Sequence, residues 1–442
     1  MSRKNPLVLS WNLRCWHTFP YANVPFEIPD SWAWCKLGDI AFVTKLAGFE
    51  YTNYIADNLS SCSGIPLFKG KNVKNGSIDY RFESFIPEYI SNKLWRSQIT
   101  KKCLLTPYVG AIGNIGIHDK EGKYHLGSNV GKIEVCSTNG VIVIEEFLRY
   151  YLMSSYGYRE LSKHKKATAQ ESISIEAIRD VIIPICSLPM QKRIIESIEQ
   201  WFSYIDFIDK QIIELNQVIA DTKSKILDLA IHGKLVPQDP NDEPAIDLLR
   251  RINPDFQPCD NAHYTLNLPH NWELATIGAI FQHNTGKALN KADAKIGKLL
   301  PYITTSNVYW DYFELSEIKE MYFKDSEIDK CTVRKGDLLI CEGGDVGRSA
   351  IWPFDYNICI QNHIHRLRAK DKTNHRFYLY VIMFYKWTGK IQGKGIGLQG
   401  ISSSMLDKLI IPVPPHLEQL RIVAKIEELF VTLDKIKESL EV

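Results

Sequence analysis

The chain has 442 residues, 45% of them apolar and 24% charged, with a net charge of +2. This excludes a disordered or fibrous chain and leaves room for two or three cored domains. Ten cysteines are scattered without a C-x-x-C pair or zinc-ligand spacing, so reduced thiols in a cytoplasm are expected. The start, "MSRKNPLVLSW", has too short an apolar run for a signal peptide, and "FYLYVIMFYKW" is too short to span a bilayer, so no membrane partner is expected.

The small net charge hides a division. Residues 60–170 hold 16 Lys/Arg against 9 Asp/Glu, residues 190–260 hold 8 against 13, and residues 270–410 hold 19 against 15. Two basic blocks around an acidic one fit two modules that each touch a polyanion.

In chain order, residues 1–25 form an extension containing Trp11 and Trp16. Residues 26–189 read as a first domain. The runs "GKIEV" and "VIVI" look like strands, a helix is expected over "EEFLRYYLMSSYGYREL", and a basic loop leads to a short strand ending in "IIP". Over residues 190–232 apolar residues recur in steps of four and three, from Ile194, Ile198, Trp201, Ile205 and Ile208 to Ile219 and Ile226, which predicts a helix with a heptad seam. Residues 233–265 read as a linker with a short helix. Gly233 stops the long helix, Pro237 and Pro240 keep the chain extended, and Asp242 is a candidate cap. Residues 266–415 form a second domain, and residues 416–442 a second helix with the same seam, through Ile422, Ile426, Leu429, Leu433 and Ile436.

The second half repeats the first. "IPDSWAWCKLGDI" returns as "LPHNWELATIGAI", pairing Trp32 with Trp272 and Gly38 with Gly278. "KKCLLTPYVGAIGNIGI" returns as "RKGDLLICEGGDVGRSAI", keeping Gly110-x-x-Gly113 as Gly344-x-x-Gly347. "IIPICSLPMQKRIIESIEQWF" returns as "IIPVPPHLEQLRIVAKIEELF". The expected fold is therefore α+β: two duplicated, loop-rich domains separated by a long antiparallel coiled-coil helix pair with pseudo-two-fold symmetry. At about 1.5 Å per residue the helices would span roughly 60 and 40 Å, and the 40 Å overlap corresponds to about 12 base pairs. The last helix has no second "HGKLVPQ" ending, and residues 1–25 do not align clearly with the second half.

Several motifs fail on inspection. "GKGIGLQG" has G-x-G-x-x-G spacing, but a helix precedes it and a short strand follows, the reverse of a dinucleotide fold. "NPDF" lacks the second proline of an adenine methyltransferase motif and reads better as a helix stop. His363 and His365 read as a surface or groove pair before a metal site. There is no P-loop and no nuclease-type acidic cluster.

The stretch "LDLAIHGKLVPQDPNDEPAIDLLRRI", with "IPDSW", "LPHNW" and "IIPVPPHLEQLRIV", resembles the specificity subunits of type I restriction–modification systems. The resemblance implies a non-catalytic subunit in which each domain reads half of a split, asymmetric site in double-stranded DNA. It implies that the helices space the halves and dock two methyltransferase subunits, and that restriction/translocase subunits join them. S-adenosylmethionine, ATP and Mg would be bound by those partners and none by this chain. The alternatives are a stand-alone regulatory DNA-binding protein and a coiled-coil scaffold that ignores DNA.

Candidate DNA contacts come from corresponding loops. The basic loops supply Lys163, Lys165, Lys166 and Gln170 in one copy and Lys390, Lys394 and Gln399 in the other. Glutamine can pair with adenine and lysine with phosphate. The turn "FKGKNVKNG" supplies Lys69, Lys71, Asn72 and Lys74, and its counterpart "ITTSNVYWD" supplies Thr305, Ser306, Asn307 and Tyr309. Asn114 and Arg348 adjoin the glycine loops, and Asn129 and Asn362 are read as corresponding positions. For each asparagine a turn-forming role is the alternative.

Overall fold

The computed structural model describes residues 24–136, 142–163, 171–258, 268–289, 296–371, 373–391 and 400–440. The chain divides into two compact units, Met1–Phe207 and Ile208–Val442.

The first unit opens with β1 (Ala33–Lys36) and β2 (Ala41–Lys45). Next come β3 (Ile65–Phe68), β4 (Phe85–Ile86), β5 (Gln98–Ile99) and β6 (Cys103–Pro107). The sheet strands end with β7 (Gly116–His118), β8 (Tyr124–Leu126) and β9 (Val130–Val135). They build two four-stranded sheets, ordered β2-β9-β6-β7 and β4-β3-β8-β5, in which only β3 and β8 run parallel. Every residue of β6 is buried. The alternation of a strand explains why: Leu104 faces one core, Cys103 and Leu105 the other. After α1 (Glu145–Met153) and α2 (Ser155–Ser162), β10 (Ile182–Ile185) returns to pair antiparallel with β1, Ala33 lying opposite Ile185. The helix α3 (Leu188–Ile231) then starts at once.

The second unit holds α4 (Ala245–Ile252) and a second set of strands. These are β11 (Glu273–Thr276), β12 (Phe281–Thr285), β13 (Lys298–Ile303), β14 (Lys319–Phe323) and β15 (Thr332–Val333). They continue with β16 (Leu338–Cys341), β17 (Ser349–Ile351), β18 (Ile358–Ile360) and β19 (Ile364–Ala369). The sheet orders are β12-β19-β16-β17 and β14-β13-β18-β15, strand for strand those of the first unit. Helix α5 (His375–Trp387) is apolar all round and buried from Phe377 to Tyr385. β20 (Ile410–Val413) pairs with β11, and α6 (His416–Glu438) follows.

One buried side chain explains the repeated "IIP…Q" motif. Gln191, at the start of α3, accepts from Ile144 N (2.9 Å) and donates to the carbonyls of Ile142 (2.9 Å) and Cys186 (3.0 Å). Gln419 in α6 accepts from Asn374 N (3.0 Å) and donates to Pro414 O (2.9 Å). This also corrects the expectation of a strand at "VIVI". Residues 142–144 carry no ladder because Gln191 satisfies their backbone groups.

Three other expectations change. The helix predicted through "EEFLRYYLMSSYGYREL" breaks at Ser154, whose hydroxyl accepts from Gly157 N (3.2 Å) and caps α2. Asp242 is no cap: it is buried and bound to Arg421 (2.5 Å), while Pro244 occupies the cap position of α4. The heptad seam is buried at Ile219, Ile226, Ile422 and Ile426 but open at Trp201, Ile205 and Ile208. Gly233 does end α3, with φ +65°, Lys234 N bonding Leu229 O (2.8 Å) and Gly233 N bonding Ala230 O (3.2 Å). No disulfide joins the cysteines among the described residues, and no described helix is long and apolar enough to cross a membrane.

His365 sits fully buried between β12 and the segment after the second basic loop. Its Nδ1 faces His283 Nε2 (2.9 Å) and its Nε2 faces Ile401 O (2.9 Å). His283 Nδ1 in turn lies 2.7 Å from Asp407 Oδ1.

Two predictions follow from these buried polar groups. Gln191→Ala strands three backbone groups and should destabilise by about 2–4 kcal/mol in urea unfolding, whereas exposed Gln200→Ala should stay within about 0.5 kcal/mol. Burial pushes His365 down from 6.5 to about 4. The unfolded chain therefore takes up this proton first, and stability falls as pH drops from about 6.5 toward about 4. Between pH 7 and 4.5 this group should cost roughly 2–3 kcal/mol in urea unfolding, and His365→Gln should flatten that dependence.

Candidate nucleic-acid interface

In both units the middle strand of the same sheet ends in a glycine turn. Gly110 and Gly113 have φ of 83° and 95°, and Gly344 and Gly347 have 75° and 87°, values that favour glycine. A Cβ on Gly110 or Gly344 would meet nothing within 4 Å, so these turns offer bare backbone to the outside. Each turn holds the downstream end of a basic loop. Gly110 N donates to Glu171 O (2.9 Å), and Ile401 N donates to Glu342 O (3.0 Å) next to a bridge between Gly343 and Gly400. Lys165, Lys166, Gln170, Lys394 and Gln399, in those basic loops, lie outside the described residues.

A second loop stands beside each glycine turn, and its asparagine is structural. Asn72 Oδ1 accepts from Lys69 N (2.9 Å), and its Nδ2 donates to the carbonyls of Asp79 (2.9 Å) and Arg81 (3.1 Å). Asn307 repeats the pattern with Thr304 N (2.9 Å), Glu314 O (2.9 Å) and Glu317 O (3.1 Å). Both are buried. Their amides are used within the turn, which favours the turn-forming alternative over a contact with a base for Asn72 and Asn307.

Around this frame the two units differ. In the first, Lys69, Lys71, Ala111 and Asn129 line a cleft of about 330 Å³. Lys69 Nζ donates to Ser84 Oγ (2.7 Å). Lys71 is paired with Glu83, and Lys74 with Asp79 (3.0 Å). The ammonium of Lys71 draws the Glu83 carboxyl down, and Arg81, ahead of Lys74, holds Asp79 far below the carboxylate range. Asn129 is exposed at φ 64°, and Asn114 is half-buried with no side-chain hydrogen bond among the described residues. Lys163 closes on Glu160 (2.5 Å).

In the second unit, Arg348 Nη2 donates to Thr305 O (2.5 Å), and its guanidinium lies 5.0 Å from the Tyr309 ring. Tyr309 stacks on exposed Tyr312, centroids 4.8 Å apart. Ser306 is exposed at the tip, its hydroxyl 2.7 Å from Thr304 Oγ1. Lys390 lies over Tyr385 (4.9 Å), and burial lowers the affinity of its amine for a proton. The strand registers pair Lys132 with Thr44 and Arg366 with Asn284, so the shared frame sets Asn129 against His363, and Asn362 against Ser128. That corrects the pairing of Asn129 with Asn362 by one residue. Half-buried Asn362 donates its backbone N–H to Lys287 O (3.0 Å). His363 is exposed and His365 buried, and no described group of three His, Cys, Asp or Glu residues is arranged to hold a metal.

The reading of the sequence passed over Tyr312 and Tyr108. Tyr108 Oη accepts from Asn129 N (3.3 Å), and Lys45 lies over its ring (4.5 Å). The aromatic spacing Tyr309-x-x-Tyr312 around a turn was the available signal for the first. Tyr108 carried none, since its neighbours come from other strands.

Comparison with known proteins agrees with this geometry. Residues 29–217 and 269–442 each match the type I restriction modification DNA specificity domain. The specificity subunit of the type I restriction enzyme EcoAI from Escherichia coli is 21% identical over 93% of this chain and 80% of its own length. That of EcoBI, also from Escherichia coli, is 27% identical over 49% of this chain, and the chain spans only 44% of that relative. The crystal structure of the HsdS subunit from Thermoanaerobacter tengcongensis superposes with a TM-score of 0.55 at 17% identity, covering 94% of this chain and 95% of that one. With both duplicated regions matched, the chain belongs to the family of type I restriction–modification DNA specificity subunits, whose enzymatic activity resides in other subunits.

Proposed function

We propose that the chain reads a split, asymmetric site in double-stranded DNA, one part with each unit, and that it catalyses nothing itself. The observation that carries this is one frame with two sets of side chains. Sheet order, glycine turn and buried asparagine repeat, while Lys69, Lys71 and Asn129 stand on one copy and Ser306, Tyr309 and Arg348 on the other. Different half-sites require that combination. Exposed glycine backbone suits phosphate, and the basic loops carrying Gln170 and Gln399 suit base edges.

The helices supply spacing and docking. α3 has 44 residues, about 66 Å, and α6 has 23, about 35 Å. An antiparallel, pseudo-symmetric pairing is supported by Lys223, which binds Asp434 (2.5 Å) and lies over Phe430 (5.0 Å). The exposed seam at Trp201, Ile205 and Ile208 suits docking of other subunits. We assign these as two methyltransferase subunits and, in the restriction complex, translocase subunits, which would bind S-adenosylmethionine, ATP and Mg. The assembly would act in the cytoplasm.

Methylome sequencing of the host with and without this gene tests the reading: one split adenine motif should vanish on deletion, and an unchanged methylome would refute it. In binding assays with the partner subunits present, replacing Lys165 and Lys166 by alanine should weaken all sequences alike and reduce the log–log salt slope by about 2. Gln170→Ala should instead relax one base position by about 1–3 kcal/mol.

A further inference from the structure

The first turns of α3 and α6 are built alike, but they are covered differently. In the second unit Ile422, Ile426, Trp272 and Phe377 are all buried. The chain's own central segment covers them, with Leu227, Ala230 and Ile231 from the end of α3 and Leu248 and Leu249 from α4. Gly233 passes so near Trp272 that a Cβ there would stand 3.1 Å from the indole. Two ion pairs clamp this cover: Arg421 to Asp242 (2.5 Å) and Lys223 to Asp434 (2.5 Å).

Shifting by 228 residues maps Arg421, Ile422, Ile426, Phe430 and Asp434 onto Arg193, Ile194, Ile198, Phe202 and Asp206, the same amino acid each time. In the first unit nothing among the described residues covers that surface. Trp32, Ile194 and Ile198 are only half-buried and, with Phe147 and Tyr150, line an open apolar cleft of about 270 Å³. Arg193 and Asp206 are exposed and make no ion pair among the described residues. A surface that keeps both apolar and charged residues of a filled groove matches the same kind of filling.

We propose that this cleft docks a helix–turn segment of a partner polypeptide with the chemistry of residues 223–252: two apolar helical turns, a cation toward Asp206 and a carboxylate toward Arg193. The inference rests on reading the chain as one subunit of a larger assembly. Residues 1–23 contain no Asp or Glu and cannot supply the carboxylate. In a second copy, residues 223–252 are already used by its own second unit.

The test uses the full chain and a fluorescent peptide of residues 222–252 as the probe, read by anisotropy. Saturable one-to-one binding is expected. Ile198→Asp should abolish it, Arg193→Glu should weaken it about tenfold, and an Asp242→Arg peptide should restore affinity to the Arg193→Glu chain. That charge swap separates recognition from misfolding. Absent binding, or binding indifferent to both variants, overturns the proposal. So does a dimer in light scattering that Ile198→Asp dissolves, which would make a second copy the occupant. A rise in peptide affinity on deleting residues 1–23 would make the chain's own start the occupant, and also overturns it. DNA binding by both variants should match the parent chain, so loss of the peptide result leaves the DNA reading standing, and the reverse holds too.

Discussion

Each unit must bring its beginning and its end to one place, because a long helix leaves from there. The pairing of β1 with β10, and of β11 with β20, does this by main-chain hydrogen bonds. A buried glutamine at the first turn of the helix then fastens the helix to the loop before α1 or α5. Tyr151 and Tyr385 complete the joint, donating from those helices to the carbonyls of Ile182 (2.8 Å) and Ile410 (3.0 Å). An amide buried among backbone groups has little freedom to turn, so the first turn of each helix is tied to its own domain.

The same economy separates frame from reading surface. Asn72 and Asn307 spend every hydrogen bond inside their turns, and the four glycines hold conformations that other residues resist. Such positions cannot vary without disturbing the loop. The side chains standing on the frame are free to differ, and they do: lysines paired with Glu83 and Asp79 in one unit, a tyrosine stack with an oriented arginine in the other. Paired lysines are not lost to a polyanion, since phosphate can displace an exposed carboxylate at small cost.

The duplication, the long helix and its stop at Gly233 were legible in the sequence because they are carried by local signals: repeated spacing, unbroken heptads and a glycine at the helix end. It located the glycine turns as well. It misplaced the strand at "VIVI" and the role of Asp242. In each case the deciding partner is distant or sits across a turn: Gln191 lies 47 residues from Ile144, and Arg421 lies 179 from Asp242.

Periodicity says which residues are apolar, not whether anything covers them. Ile198 and Ile426 occupy the same place in corresponding motifs, yet one lines an open cleft and the other is buried under the chain's own central segment. Periodicity and repeated spacing thus determined a duplicated, helix-bearing protein, and its motifs carried the resemblance to this family. Only the tertiary structure decided which of the repeated surfaces are filled, because burial depends on contacts between segments that the order of residues does not express.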